Sequence, residues 1–157
     1  MAATTETTVR IDVREADFDI AAELALMREG RTDIGAIASF IGLVREVSEG
    51  ARVAAMSLEH YPGMTEKALA KIVADASARW PLQAVTVIHR VGTLHATDNI
   101  VLVLVASAHR HAAFDGCQFI MDFLKSEAPF WKKENTESGA RWVDAKESDA
   151  AALARWQ

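Results

Sequence analysis

The stretch Ile100–Ala106 reads IVLVLVA, unbroken apolar sequence rich in β-branched residues. It is far shorter than the roughly 20 residues a helix needs to cross a bilayer, so it reads as a strand with both faces covered. A second strand, Ala84–Val91, comes just before it, and the Gly92–Asn99 connection between them suits a hairpin. Downstream, His109 to about Glu127 reads as a helix with Cys117, Ile120 and Leu124 on one line, and Pro129 opens a new segment. Phe130–Glu134 and Ala140–Val143 can pair across an Asn135–Gly139 loop, and Ala145–Gln157 reads as a terminal helix or tail. Upstream, Val9–Val13 is a strand, and Asp17 or Asp19 caps a helix running to about Arg28, with Gly30 as its stop. Gly35–Val44 is a strand whose two glycines imply a bulge or a close backbone approach. Glu46–Ala51 reads as a polar connection and Arg52–His60 as a half-buried strand. Pro62-Gly63 is a turn, after which Thr65 caps a helix carrying Ala68, Leu69, Ile72, Val73 and Ala76, closed by Pro81. Strands outnumber helices and one strand–helix–strand unit is clear, so the class is α+β in two layers. A disordered lead over residues 1–8 and a single domain over 9–157 complete the expected organisation.

The chain has 157 residues and a formal net charge of −5, which weakens any bulk electrostatic case for nucleic acid or an anionic membrane. Cys117 is the single cysteine, which excludes an internal disulfide framework and an all-cysteine metal cage. No apolar run is long enough for a membrane span, and Met1–Thr8 lacks the basic flank and apolar stretch of a secretion signal. The expected location is therefore the cytoplasm.

Chemistry is expected where strands give way to loops. At Ser107-Ala108-His109-Arg110-His111 a buried strand meets the start of a long helix. Free backbone N–H groups, a positive dipole end and the guanidinium fork of Arg110 suit an anion such as phosphate there. The plainer alternative is a surface cap with Arg110 paired to a carboxylate. Lys125, Lys132 and Lys133 flank Pro129-Phe130-Trp131, and those aromatic rings can desolvate an ammonium and make it a usable acid, base or nucleophile. The plainer alternative is a solvated face. Arg45, after the Gly42-containing strand, is a third possible cation. No GxGxxG, GxxxxGK[ST] or HExxH pattern is present, and no cluster completes a metal site, so neither a metal nor a cofactor is expected. His60, His89 and His95 are scattered and carry no assigned role. Cys117 reads as a small buried hydrophobe.

The blocks LEHYPGMTEKAL (Leu58–Leu69), VIHRVG (Val87–Gly92), SAHRHAAF (Ser107–Phe114), FIMDFLKSEAPFWKKE (Phe119–Glu134) and RWVDAKESD (Arg141–Asp149) occur in the order found in the large, catalytic subunit of molybdopterin synthase. The sequence resembles that family over about Val9 to Trp156. The resemblance implies an α/β-hammerhead fold with an additional small antiparallel sheet. It also implies a homodimer within a heterotetramer, completed by two small ubiquitin-like sulfur carriers whose Gly-Gly tails end in a thiocarboxylate. The implied substrate is cyclic pyranopterin monophosphate and the implied product molybdopterin. By motif, Lys125 and Lys132 stand at the catalytic lysines. Arg45, His109, Arg110 and Lys133 stand at positions that contact the phosphate or support the pocket. Lys146 stands where many members have an arginine that reaches the neighbouring subunit's site; lysine keeps that charge without the planar fork.

The residues agree with the resemblance in one respect. A dithiolene needs two sulfurs and this chain holds one thiol, so sulfur has to come from outside. The expectation is a sulfurtransferase. Its rivals are a non-catalytic binding module for a ubiquitin-like Gly-Gly tail, and a phosphate-binding enzyme with no sulfur role.

Overall fold

The computed structural model describes residues 6–48, 51–136, 139–143 and 147–156. Its main sheet has four strands, β1 (Thr8–Arg14), β2 (Ala36–Leu43), β5 (Leu82–Arg90) and β7 (Asn99–Ser107), in the order β1-β5-β7-β2. β1 and β5 are parallel, and the other two pairings are antiparallel. Strand alternation divides the IVLVLVA side chains as its unbroken hydrophobicity requires. Val101, Val103 and Val105 face α2 (Met64–Arg79) and α3 (Arg110–Glu127), joining Leu69, Ile72, Ile120 and Leu124. Leu102, Leu104 and Ala106 face the other way, under Phe18, Met27 and α1 (Ile20–Arg28). Both faces of this strand are indeed covered.

The bulge or close backbone approach expected of the two glycines is present in both forms. A Cβ on Gly35 would stand 2.0 Å from the Ala108 carbonyl oxygen, and at Gly42 the ladder with β7 slips by one residue. Asp19 caps α1 by accepting the Ala22 amide, and Gly30 beyond the helix has a φ of +67°.

The second sheet is built on β4 (Ala51–His60). β3 (Val47–Ser48) and β6 (Gly92–His95) pair along one edge, while β8 (Phe130–Thr136) and then β9 (Gly139–Val143) lie along the other. The architecture is therefore α+β with an additional small antiparallel sheet. Three local expectations are corrected. The presumed polar connection includes β3, which turns back onto β4. Gly92–Asn99 is more than a hairpin loop: Gly92, at φ +87°, redirects the chain so that β6 leaves the main sheet and pairs with β4. Thr65 is not a helix cap, because Gly63 holds that position; the Thr65 hydroxyl instead accepts the Tyr61 amide and donates to the Pro129 carbonyl. Strand β1 begins at Thr8, and the Thr7 hydroxyl donates to the Leu82 carbonyl.

The C-terminal helix α4 (Glu147–Ala154) is fastened through Trp156. Its indole N–H donates to Asp122 over 2.7 Å, its carbonyl accepts from Arg79, and its ring meets Trp80 and Phe119 edge-on. Among the described residues no helix is long and apolar enough to cross a membrane.

Candidate active site

A cavity of about 640 Å³ opens where the two sheets meet. Three separate stretches of chain deliver cations to it. Lys125 arrives in the last turn of α3, where a positive charge suits the negative end of the helix dipole. Lys132 comes from β8, opposite Leu58 of β4. Arg45 follows β2, and its neighbour Val44 is held on both sides by backbone bonds with Asp98 and Thr97. The remaining wall is largely apolar, including Phe40, Met56, Leu58, Ile100 and Leu124, with Asp149 contributed by α4. Its outer rim, formed by Phe40, Ile41 and Leu43 on the edge strand β2, is exposed.

The arrangement is a cationic clamp set in apolar surroundings. Such a site favours a small anionic molecule, because the apolar walls exclude water and strengthen the charge interactions inside. Among the described residues no group of His, Cys, Asp and Glu side chains is assembled that could hold a metal ion.

The other expected site residues lie elsewhere. Lys133 follows Lys132 on β8 and so projects from the opposite face of the strand, and it is absent from the cavity wall. His109 caps the N-terminal end of α3 and Arg110 begins that helix, both exposed. The fifteen residues from Arg110 to Lys125 amount to roughly 22 Å of helix. The structure therefore does not bring His109 and Arg110 to the cavity of their own chain. Lys146 lies outside the described residues. Cys117 packs in the main core, and burial pushes its thiol up to about 11, so it is a neutral core group at ordinary pH.

Two cavity residues escaped the sequence reading. Asp149 depends on how α4 docks, which its alanine-rich sequence does not announce. His89 is buried on β5 and lines the cavity. Its sequence signal was a histidine near the end of a largely apolar strand, but its proximity to Lys125 exists only in the folded chain.

The MoaE protein family model matches residues 13–127. A molybdopterin synthase catalytic subunit from Ralstonia nicotianae is 64% identical over 146 residues, covering 93% of this chain and 83% of that one. Among solved structures, a molybdopterin biosynthesis MoaE protein from Burkholderia ambifaria superposes with a TM-score of 0.80 at 55% identity, covering 96% of this chain and 98% of that one. A chain from a complex of subunits 1 and 2 of molybdopterin-converting factor from Helicobacter pylori shares the fold, with a TM-score of 0.67 at 18% identity over 88% of this chain and 90% of that one.

Proposed function

The chain belongs to the MoaE family, and on that premise we propose that it is the catalytic subunit of a molybdopterin synthase. In this reading it is a sulfurtransferase of molybdenum cofactor biosynthesis that converts cyclic pyranopterin monophosphate to molybdopterin. Sulfur arrives as the C-terminal thiocarboxylate of a small ubiquitin-like partner. The observation that carries the reading is the convergence of Arg45, Lys125 and Lys132 on one largely apolar cavity.

Each part of the cavity has a task in this mechanism. Arg45 and the lysines neutralise the phosphate, with the planar guanidinium suited to two of its oxygens. The exposed apolar rim of Phe40, Ile41 and Leu43 receives the two glycines of the tail, whose terminal thiocarboxylate reaches toward the cations. The thiocarboxylate sulfur attacks a side-chain carbon of the pterin and displaces the oxygen that the cyclic phosphate holds there. A carbon–sulfur bond thus replaces a carbon–oxygen bond, the phosphate ring opens, and carrier and pterin are joined as a thioester. Water then cleaves the acyl–sulfur bond, releasing the carrier as a carboxylate and leaving sulfur on the pterin. A second carrier adds its sulfur at the neighbouring carbonyl carbon, whose oxygen leaves as water, and hydrolysis of that thioester completes the dithiolene. Lys125 and Lys132 supply proton transfer or stabilise the oxyanion at the acyl carbon. Cys117, buried and neutral, takes no part.

His109 and Arg110 enter through a second copy of the chain. At roughly 22 Å along α3 from Lys125 they are out of reach of their own cavity. In a two-fold dimer the same helix end can face the neighbour's site. The exposed Phe114, one turn beyond Arg110, gives that contact an apolar component. Lys133 supports the pocket from the β8 strand, and the assembly works in the cytoplasm. Reconstitution with thiocarboxylated carrier and cyclic pyranopterin monophosphate tests the proposal. Molybdopterin is the expected product, and a folded, carrier-binding chain that forms none would refute it.

A further inference from the structure

His89 lines the cavity and takes no part in this mechanism. Val85 and Val87 of β5 pack toward α2 and α3, and alternation puts His89 on the same side, at the strand end nearest the lysines. Its ring lies nearly flat on Phe130, with centroids 3.8 Å apart and planes 17° apart. Only 5% of the residue is exposed, yet it lines the cavity beside Arg45, Lys125 and Lys132.

The hydrogen-bond pattern determines the state of the ring. Nδ1 lies 2.8 Å from the Arg90 carbonyl oxygen. A carbonyl only accepts, so Nδ1 carries the hydrogen and, in the neutral ring, Nε2 carries the lone pair. Burial drives the pKa down to about 4 against the opposing pull of the Arg90 hydrogen bond, and the electrostatic influence of Lys125 and His60 lowers it further. The Arg90 contact engages Nδ1, and the residue lines the cavity, so Nε2 is the ring nitrogen left to meet a molecule bound there. Phe130 covers a face of the ring, leaving its edge available.

The cavity is thus offered a rigid, neutral acceptor. Arg45, Lys125 and Lys132 can only donate, and the other side-chain acceptor in the wall, the Asp149 carboxylate, is charged. We propose that His89 Nε2 accepts a hydrogen bond from a ring N–H or exocyclic amine of the pterin, so fixing how the heterocycle lies while the cations hold its phosphate. This rests on the reading of the chain as a molybdopterin synthase subunit. A substrate lacking that donor would leave Nε2 buried and unpaired, which is how such a site discriminates. A peptide N–H of the carrier tail is the other donor that can enter, and the test separates the two.

The first measurement uses the unaltered chain labelled with ¹⁵N-histidine, with the His89 ring signals assigned by their loss in His89→Gln. Adding cyclic pyranopterin monophosphate should move the unprotonated Nε2 resonance and leave Nδ1 in place. Bound pterin with an unmoved Nε2 overturns the inference while the functional reading stands. Movement only when carrier is added gives the contact to the tail and also overturns it. A chain that neither binds nor turns over the pterin overturns both.

Two variants add a second test in the assembled enzyme. Glutamine can place an amide oxygen near the Nε2 position, whereas asparagine reaches only the Nδ1 position. His89→Gln should keep KM for the pterin within about threefold, and His89→Asn should raise it more than about tenfold with a smaller change in kcat. A purely structural role, resting on the Arg90 bond, would favour asparagine. Equal effects or the reverse order overturn the inference.

Discussion

The Thr65 hydroxyl donates a 3.0 Å hydrogen bond to the Pro129 carbonyl, tying the first turn of α2 to the residue that leads into β8. The same oxygen accepts the Tyr61 amide at 3.0 Å, and the residue is fully buried. Thr65→Val keeps the shape and strands an amide and a carbonyl, so it should cost about 1–3 kcal/mol. Thr65→Ser, which keeps the hydroxyl, should retain most of that. Urea denaturation of the pair checks the difference.

Lys125→Ala and Lys132→Ala should each remove most turnover while leaving the fold and carrier binding intact. Lys125 is exposed on its helix, where truncation empties no core. Product formation under single-turnover conditions, with thermal unfolding as a control, decides this. Near-normal turnover by either variant would remove that lysine from the catalytic assignment.

His89 gives stability a specific pH dependence. Its folded pKa, about 4, lies below the ordinary 6.5, so the unfolded chain takes up the proton first. The stability this contributes is fully present above pH 6.5, is lost as the pH falls toward 4, and amounts to roughly 3 kcal/mol in total. Denaturation at a series of pH values should show the decline in the wild type, and His89→Gln should have a flatter profile across that window. Parallel profiles would contradict the burial of a neutral imidazole.

Arg110 tests the two-copy site. Arg110→Ala should weaken pterin binding by roughly 2–5 kcal/mol, the range for breaking a buried charge contact, with carrier affinity little changed. Arg110→Ala and Lys125→Ala chains, each inactive alone, should recover activity when co-assembled, because one of the two sites in such a dimer is intact. Absence of complementation in verified mixed dimers would return Arg110 to another role.

Much of the scaffold was legible because its signals are local. IVLVLVA implies a strand covered on both sides, and Gly35 and Gly42 mark a close approach and a ladder slip. The errors arise where a distant partner decides. Thr65 resembles a cap until Pro129 claims its hydroxyl, and β6 is called out of the presumed hairpin by β4. Within the site, Arg45, Lys125 and Lys132 were legible as cations flanking glycine and aromatic residues, and the fold gathers them. His89 was not, because a histidine in an apolar strand gains its meaning from Phe130, Arg90 and Lys125 around it. The separation of Arg110 from Lys125, by contrast, was already implied by the helix read from His109 to about Glu127, although the family resemblance assigns both to one pocket.

The central claim is that both sulfurs come from outside the chain, and a sulfur balance tests it most directly. Thiocarboxylated carrier and cyclic pyranopterin monophosphate are combined with the wild-type chain or with Cys117→Ala, which should lose no more than about 1–2 kcal/mol of stability. Mass spectrometry of the carrier is then read beside the molybdopterin formed. The account predicts that two carriers exchange sulfur for oxygen per molybdopterin, with the same ratio in both proteins. Molybdopterin formed without matching loss of carrier sulfur, or abolished in a folded Cys117→Ala protein, would contradict it.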